Sequence, residues 1–351
     1  MMGLQNWTSN FSEILTDILA AYDPTYCTAP EPTRATQIIT SSVLMVWAFI
    51  GNLTVIATFC QKRIVRSTTN HFIANMALSD LIIAVICMPV EISFTYHGGW
   101  VIDGVAGDLF CKVSSMAWLL SIIVSMLTMI AVAVDRFYAM AFPMRRGLIS
   151  VTVCRVMILA SWVIAIALNF IFLYACKVIS HNDKLFCVLQ FETPSETYRI
   201  RQLTWVVFFC FSTISAAILI ILSSLTIKFL YKQQTVLVLA DEVMRQRHER
   251  NRKISTMLVI VIFCFCLVWA PFNIGTLISL LNPERMFTCF FLWFGMWSFP
   301  SFYSAINPVI YGIFNKNYRK GFKEIILYLL TCNRFSTSTV APVITTESSR
   351  S

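Results

Sequence analysis

Val113-Ser-Ser-Met-Ala-Trp118-Leu-Leu-Ser-Ile-Ile-Val-Ser125-Met-Leu-Thr-Met-Ile-Ala-Val-Ala-Val-Asp135-Arg136 decides the fold. Nothing ionisable interrupts it before Asp135, and at about 1.5 Å per residue a helix of this length crosses the ~30 Å hydrocarbon core of a bilayer. From Trp118 to Arg136 is 18 residues, which is five whole turns and ~27 Å, so both side chains leave one helix face at opposite membrane ends. Ser125 lies within ~20° of the same stripe. One face thus carries an aromatic residue, a mid-membrane polar group and a charged pair.

Six more apolar stretches flank this one. With 110–134 the spans are 37–60, 72–96, 156–176, 203–231, 254–281 and 287–314, each near or above the ~20 residues a spanning helix needs. Hydrophobic residues make up 57% of the 351-residue chain and charged ones 13%, against roughly half and a quarter in soluble domains. Lipid satisfies no backbone group, so the spans are expected to be helical throughout, with Pro89, Pro271, Pro300 and Pro308 as candidate kinks. The expected fold is an all-α membrane protein, a bundle of seven transmembrane helices.

Basic residues orient the bundle. With the N-terminus outside, 20 of the 27 Lys and Arg fall in cytoplasmic segments, and seven fall outside: Arg34, Lys112, Lys177, Lys184, Arg199, Arg201 and Arg285. The positive-inside rule therefore predicts an extracellular N-terminus. It also accounts for the net charge of +9 without nucleic acid, since the basic residues flank spans, as in Arg245-Gln-Arg-His-Glu-Arg250-Asn-Arg252-Lys253. The chain does not open with a basic segment and short apolar core, so span one is expected to act as the insertion signal.

Residues 1–36 are polar and carry the glycosylation acceptors Asn6 and Asn10, in Asn6-Trp-Thr8 and Asn10-Phe-Ser12, as a short ectodomain would. Asn52-Leu-Thr54 also matches but lies inside span one. Residues 333–351 are Ser/Thr-rich and expected to be a disordered cytoplasmic tail. Of the twelve cysteines, Cys60, Cys87, Cys154, Cys210, Cys264 and Cys266 fall in or beside spans as small apolar packing residues. Cys27, Cys111, Cys176, Cys187 and Cys289 are expected on the oxidising side.

Ionisable side chains within spans are costly and mark function. Asp80 lies mid-span, Glu91 stands higher in the same helix, and Asp135 with Arg136 closes span three. Eleven residues separate Asp80 from Glu91, about three turns, which predicts one shared inward face. Enzymatic chemistry is not expected. An intramembrane hydrolase needs paired Asp, Ser/His or a His-containing metal motif, and the four histidines, His71, His97, His181 and His248, all lie away from the middle of a span. A transporter would show internal repeats or Gly-rich broken spans, which this sequence lacks.

Over roughly residues 37–325 the chain resembles the rhodopsin-like (class A) G-protein-coupled receptors, and among them the neuropeptide-type receptors most. The resemblance is carried by Gly51-Asn52, by Asn75-Met-Ala-Leu-Ser-Asp80, by Cys111 with Asp135-Arg136-Phe137, by Trp162, by Val268-Trp269-Ala-Pro271 and by Asn307-Pro-Val-Ile-Tyr311, in order and in the matching spans. It implies a plasma-membrane receptor that takes an extracellular ligand and activates a heterotrimeric G protein, with arrestin as a further partner. Arg136 would hold Asp135 at rest and free itself on activation. Phe265, Trp269 and Pro271 would form the aromatic toggle and kink of span six, and Asn307, Pro308 and Tyr311 the switch of span seven.

Asp80, Ser125, Ser304 and Asn307 would form the family's polar network, where a sodium ion can act as allosteric modulator; no other cofactor is implied. We pair Cys111 with Cys187 and, second, Cys27 with Cys289, although spacing alone does not decide among the five. Phe314-Asn-Lys-Asn-Tyr318-Arg-Lys-Gly-Phe322 opens an amphipathic interfacial eighth helix over 315–332, with Cys332 as a palmitoylation site. The transmembrane domain itself would run over 37–314.

The sequence also departs from the family. Span five has Ile214 and Leu222 where proline and tyrosine are usual, Phe137 follows Arg136 in place of tyrosine, and Tyr303 stands where asparagine is common. Asn251 replaces the usual acid at the base of span six, so raised basal signalling is expected. Trp118 occupies the place of the monoamine receptors' aspartate, and span seven has no lysine for a retinal Schiff base. Lys184-Leu-Phe-Cys-Val-Leu-Gln-Phe191 reads as a hairpin strand in the second extracellular loop, as in peptide receptors of the family. The expected ligand is a short peptide whose Arg or amine approaches Glu91, with Trp118, Phe272, Asn273 and Trp297 around it; the alternative is a non-peptide small molecule, a monoamine or lipid.

Overall fold

The computed structural model describes residues 31–60, 67–142, 149–181, 183–236, 242–281 and 299–331. The helices are α1 (Glu31–Cys60), α2 (Thr68–His97), α3 (Gly104–Ala141), α4 (Val151–Ala175), α5 (Pro194–Val236), α6 (Glu242–Leu281), α7 (Phe299–Phe314) and α8 (Lys316–Thr331). The first six each hold a stretch long and apolar enough to cross a membrane. Helix α7 supplies the described part of the seventh, whose expected opening residues 287–298 lie outside the described residues. Also outside them are Asn6, Asn10, Cys27, Cys289, Trp297 and Cys332.

Several helices start where a side chain can accept an orphan N–H group. Ser67 accepts from Asn70 N at the head of α2, Asp103 from Gly104 N at the head of α3, and Ser150 from Val153 N at the head of α4. At the other end of α2, Gly98 takes the left-handed conformation with φ 67° and returns its N–H to Phe94 O, as a C-terminal cap requires.

Helix ends differ from the apolar spans. Helix α1 begins at Glu31, six residues before the expected 37, α5 runs over Pro194–Val236 and α6 starts at Glu242. Apolarity marks where lipid lies, whereas helix hydrogen bonding continues through polar turns beyond it.

A larger correction concerns α2. Between its α-helical parts, Thr68–Ile82 and Met88–His97, residues Ile83–Cys87 form a π-turn in which Met88 N donates to Ile83 O. Pro89 follows, and its ring crowds the carbonyl four residues back; widening the turn makes room by taking in one extra residue. That residue rotates all that follows by roughly 100°. Pro271 and Pro308, by contrast, lie inside helices that continue past them.

Helix α3 is central and touches α2, α4, α5 and α6, while α1 touches α2, α7 and α8. The bundle core joins Phe72, Met76, Met126, Met129, Leu219, Phe265, Trp269 and Tyr303. Large apolar side chains such as Ile39, Val43, Trp47 and Ile50 of α1 face outward, which suits a hydrocarbon surround. Strands β1 (Cys176–His181) and β2 (Lys184–Leu189) form an antiparallel hairpin, with Val178 opposite Cys187. Trp100 N donates to Leu185 O at 2.7 Å, and so ties the turn after α2 to the hairpin.

Helix α8 closes the opposite end. Tyr318 is fully buried, its ring 6.0 Å from Tyr311, and Phe322 stands edge-on to it at 6.3 Å. Gly321 lets this helix reach α1, since a Cβ there would fall 2.2 Å from Thr58 Cγ2. Gly321→Val is therefore expected to lever α8 off α1 and lower the apparent Tm of the purified protein by about 4 °C or more, of the order produced by 1–2 kcal/mol. An unchanged Tm would show that this approach contributes nothing.

Candidate functional site

Polar side chains are strung through the bundle from the α8 end to the hairpin end. At the first, Asp135 is buried and accepts from Arg136 Nε at 3.2 Å and Nη2 at 2.5 Å. Neighbours on a helix point ~100° apart, so the long arginine folds back along its own helix to make this pair. Thr68, in the first turn of α2, donates to both Asp135 oxygens at 3.4 Å. The side chain of Asn251 lies outside the described residues.

One layer deeper, Trp162 Nε1 donates to Asn75 Oδ1 at 2.9 Å, and Asn75 Nδ2 to Thr128 Oγ1 at 2.8 Å. This ties α4, α2 and α3 together. Above it, Asn307 Nδ2 donates to Asp80 Oδ2 at 2.8 Å, Ser304 Oγ to Asp80 O at 3.2 Å, and Asn52 Nδ2 to Ser304 O at 3.0 Å. Asp80, Asn307 and Ser304 are completely buried.

Three of the four expected network members thus meet on α2 and α7. The fourth, Ser125, shares a 2.8 Å hydrogen bond with Ser79, the residue next to Asp80. Ser79 is the member that sequence reading missed, because a serine in an apolar helix usually bonds only its own backbone; Ser79 bonds Met76 O as well. Asp80 Oδ1 and Asn307 Oδ1 are buried without a hydrogen-bond partner. Unmatched acceptors of this kind fit a cation.

The aromatic group packs as one unit. Phe265 lies 5.9 Å from Trp269 and 5.3 Å from Tyr303, edge-on to the latter, and Phe208 of α5 lies 6.1 Å from Trp269. Tyr303 donates to Met129 Sδ at 3.1 Å, so the residue that departs from the family's asparagine connects α7 to α3 rather than to Asp80. Tyr311, fully buried, reaches Met76 Sδ at 3.9 Å.

Of the expected ligand contacts, the side chains of Glu91, Trp118 and Asn273 are among the described residues. Glu91 is 5% exposed and accepts from Ser41 Oγ of α1 at 3.0 Å and from Ser301 Oγ of α7 at 3.2 Å. Both carboxylates of α2 thus meet α7, Glu91 at Ser301 and Asp80 at Asn307, so both face inward although the π-turn lies between them. Asn273 accepts from Ser212 Oγ at 2.6 Å and donates to Trp269 O at 3.1 Å, so its amide is engaged between α5 and α6. Trp118 packs against the core further inside the bundle, and the side chain of Phe272 lies outside the described residues. Ser41, Ser301 and Ser212 gave no sequence signal, because their partners lie in other helices.

At the hairpin end a disulfide joins Cys111 of α3 to Cys187 of β2. Ser115 lies 3.4 Å from Cys187 Sγ, and Asp108 Oδ1 accepts from Val178 N at 2.7 Å, so the hairpin is fixed to α3 by two further contacts. Cys176 is buried in the same cluster, and burial pushes its thiol up to about 11. A thiol rather than a thiolate at neutral pH is a poor nucleophile toward the neighbouring disulfide.

The chain is similar to the QRFP-like peptide receptor of Branchiostoma floridae, 26% identical, with 86% of this chain and 79% of that one covered. It is also similar to neuropeptide FF receptor 2 of Rattus norvegicus, 28% identical with 91% and 79% covered. Melatonin receptor type 1B of the same species is 28% identical, with 87% and 83% covered. The family described as "7 transmembrane receptor (rhodopsin family)" matches residues 51–311, the stretch from the Gly51-Asn52 motif of α1 to Tyr311 of α7. The chain belongs to the rhodopsin family of seven-transmembrane receptors and is not an enzyme.

Proposed function

We propose that the chain is a peptide receptor with its N-terminus outside the cell, coupling to a heterotrimeric G protein through the Arg136 end of the bundle and passing to arrestin afterwards. Two of the three relatives described are named for peptides, and a hairpin fastened to α3 is the kind of rim over which a peptide can lie. The positive-inside count supports the orientation, and Asn6, Asn10 and Cys332 remain the modification sites expected with it.

The observation that carries the ligand assignment is the setting of Glu91. Two neutral hydroxyls orient its carboxylate, yet among the described residues no cation accompanies it. A buried anion without a counter-charge is costly, and an arginine or amine of the ligand would supply one, displacing Ser41 or Ser301. Glu91→Gln keeps the shape and removes the charge. It is expected to reduce the potency of an Arg- or amine-bearing peptide agonist at least tenfold in a second-messenger reporter assay, with surface expression unchanged. Unchanged potency would remove Glu91 from the ligand site.

We also propose that Asp80, with Asn307 and Ser304, takes a sodium ion on the unpaired Asp80 Oδ1 and Asn307 Oδ1, with the Ser125–Ser79 pair lining the approach. A non-peptide ligand is the second reading, favoured by the likeness to a melatonin receptor; a peptide library and a panel of small amines and lipids in the same reporter cells would separate the two.

A further inference from the structure

The donors and acceptors around Glu91 narrow the chemistry of the group that meets it, an inference that rests on the peptide-receptor reading above. Ser41 of α1 and Ser301 of α7 each give their one hydroxyl hydrogen to the carboxylate, Ser41 to Oε1 at 3.0 Å and Ser301 to Oε2 at 3.2 Å. Thr95, one turn further along α2, gives its own to Glu91 O at 2.8 Å. With those hydrogens committed, the site meets an incoming group with lone pairs. A ligand group rich in N–H donors and without an acceptor is the match, and both ammonium and guanidinium are of that kind.

Shape separates the two. A guanidinium fork meets a carboxylate with two parallel N–H groups, one on each oxygen, so at Glu91 it would strip both serines at once and strand two buried hydroxyls. Glu91 is 5% exposed and Ser301 1%, against 6% for Ser41, so there is little opening for a broad planar group, and it lies on the α1 side. An ammonium is a compact charge with three donors on one nitrogen. We propose that the Glu91 seat takes a primary ammonium, a lysine side chain or free amino terminus of the ligand, in preference to an arginine. Its nitrogen takes Oε1 in place of the Ser41 hydrogen, and the Ser41 oxygen accepts a second N–H. The displaced hydrogen turns to the Gln37 carbonyl one turn back in α1, a usual partner for serine inside a helix. Ser301 keeps its bond to Oε2. Ser41 thereby sets the specificity between two cations of equal charge.

Three probes of one charge and one chain length test this on the purified full chain in detergent: n-butylammonium, n-butylguanidinium and n-butyltrimethylammonium, at equal ionic strength in constant sodium chloride. At roughly tenfold its dissociation constant, n-butylammonium is expected to raise the apparent Tm by about 3 °C. The fork-shaped probe and the probe without N–H groups are expected to give no more than about half that shift at the same concentration. Glu91→Gln should abolish the n-butylammonium shift. Ser41→Ala should reduce it to the level of n-butylguanidinium, and Ser41→Thr, which keeps the hydroxyl, should retain it. A guanidinium shift that equals or exceeds the ammonium one, or a Ser41→Ala protein that still tells the two apart, would overturn the ammonium assignment while leaving Glu91 as a cation seat. A native protein that n-butylammonium does not stabilise, or a shift that survives Glu91→Gln, overturns it as well. The loss of peptide potency in Glu91→Gln is read separately in reporter cells, so the ligand-site reading stands or falls on its own measurement.

Discussion

Replacing Cys111 or Cys187 with serine is expected to remove most of the folded protein from the cell surface, lower the apparent Tm of what remains by 10 °C or more (on the order of the 2–5 kcal/mol a native disulfide contributes) and release the hairpin. The two cysteines are 76 residues apart in sequence, with α4 and the whole of β1 between them, so the open chain gains the freedom of a long loop. What else holds the hairpin is a few hydrogen bonds, Asp108 to Val178 N and Trp100 N to Leu185 O among them, and its packing with Trp100 and Phe172 around the disulfide; its strands otherwise satisfy each other. The double variant Cys111→Ser/Cys187→Ser separates two causes. If the crosslink is what matters, single and double variants lose equal amounts of surface protein, measured by antibody to an N-terminal tag. If a stray thiol is the fault, the double variant recovers. Normal surface levels and Tm in all three would mean that α3 and the hairpin dock without the bond.

Much of this architecture was legible in the sequence, and the reasons are physical. Hydrocarbon imposes length and apolarity on every span, so the spans announce themselves, and a helix of known pitch places Trp118, Ser125 and Arg136 along one face of α3. Contacts within one helix or one motif were therefore readable: Asp135 with Arg136, Phe265 with Trp269 one turn away. What the sequence concealed were local helix geometry and partnership. A single π-turn at Ile83–Cys87 interrupts α2 between Asp80 and Glu91, and the partners that Glu91 meets, Ser41 and Ser301, come from α1 and α7. Nothing in a run such as Ile-Ala-Val-Ile-Cys marks such a turn except the proline that follows. Likewise Ser79 and Ser125 find each other across two helices, and Tyr303 finds Met129, because packing brings them together. Serine and methionine are common enough in spans that neither identity nor spacing singles out Ser79 or Met129.

The same distinction shapes what to expect at the centre of the bundle, where Asn307→Ala should be far more damaging than Asp80→Asn. Asp80 Oδ2 depends on a single donor, Asn307 Nδ2 at 2.8 Å, and Oδ1 has none. Removing the asparagine leaves a completely buried carboxylate with neither oxygen bonded, a loss of about 2–3 kcal/mol for a hydrogen bond to a charged group plus the stranded acceptor. It leaves only the chain from Asn52 through Ser304 to the Asp80 carbonyl to tie α1 and α7 to α2 at this level. Asp80→Asn is the opposite case: its amide oxygen still accepts from Asn307, its shape is unchanged, and a buried charge has been removed. The expected result is a Tm lowered by about 6 °C or more for Asn307→Ala and a level or raised Tm for Asp80→Asn. Exchanging sodium chloride for choline chloride at constant ionic strength adds the cation's own signature. The native protein should lose Tm when sodium is withdrawn, since a ion that binds only the folded state stabilises it by mass action, whereas Asp80→Asn should be indifferent to the exchange. If the native protein were equally indifferent, the unpaired oxygens of Asp80 and Asn307 would not be a sodium site, and the hydrogen-bond ledger of the two variants would stand on its own.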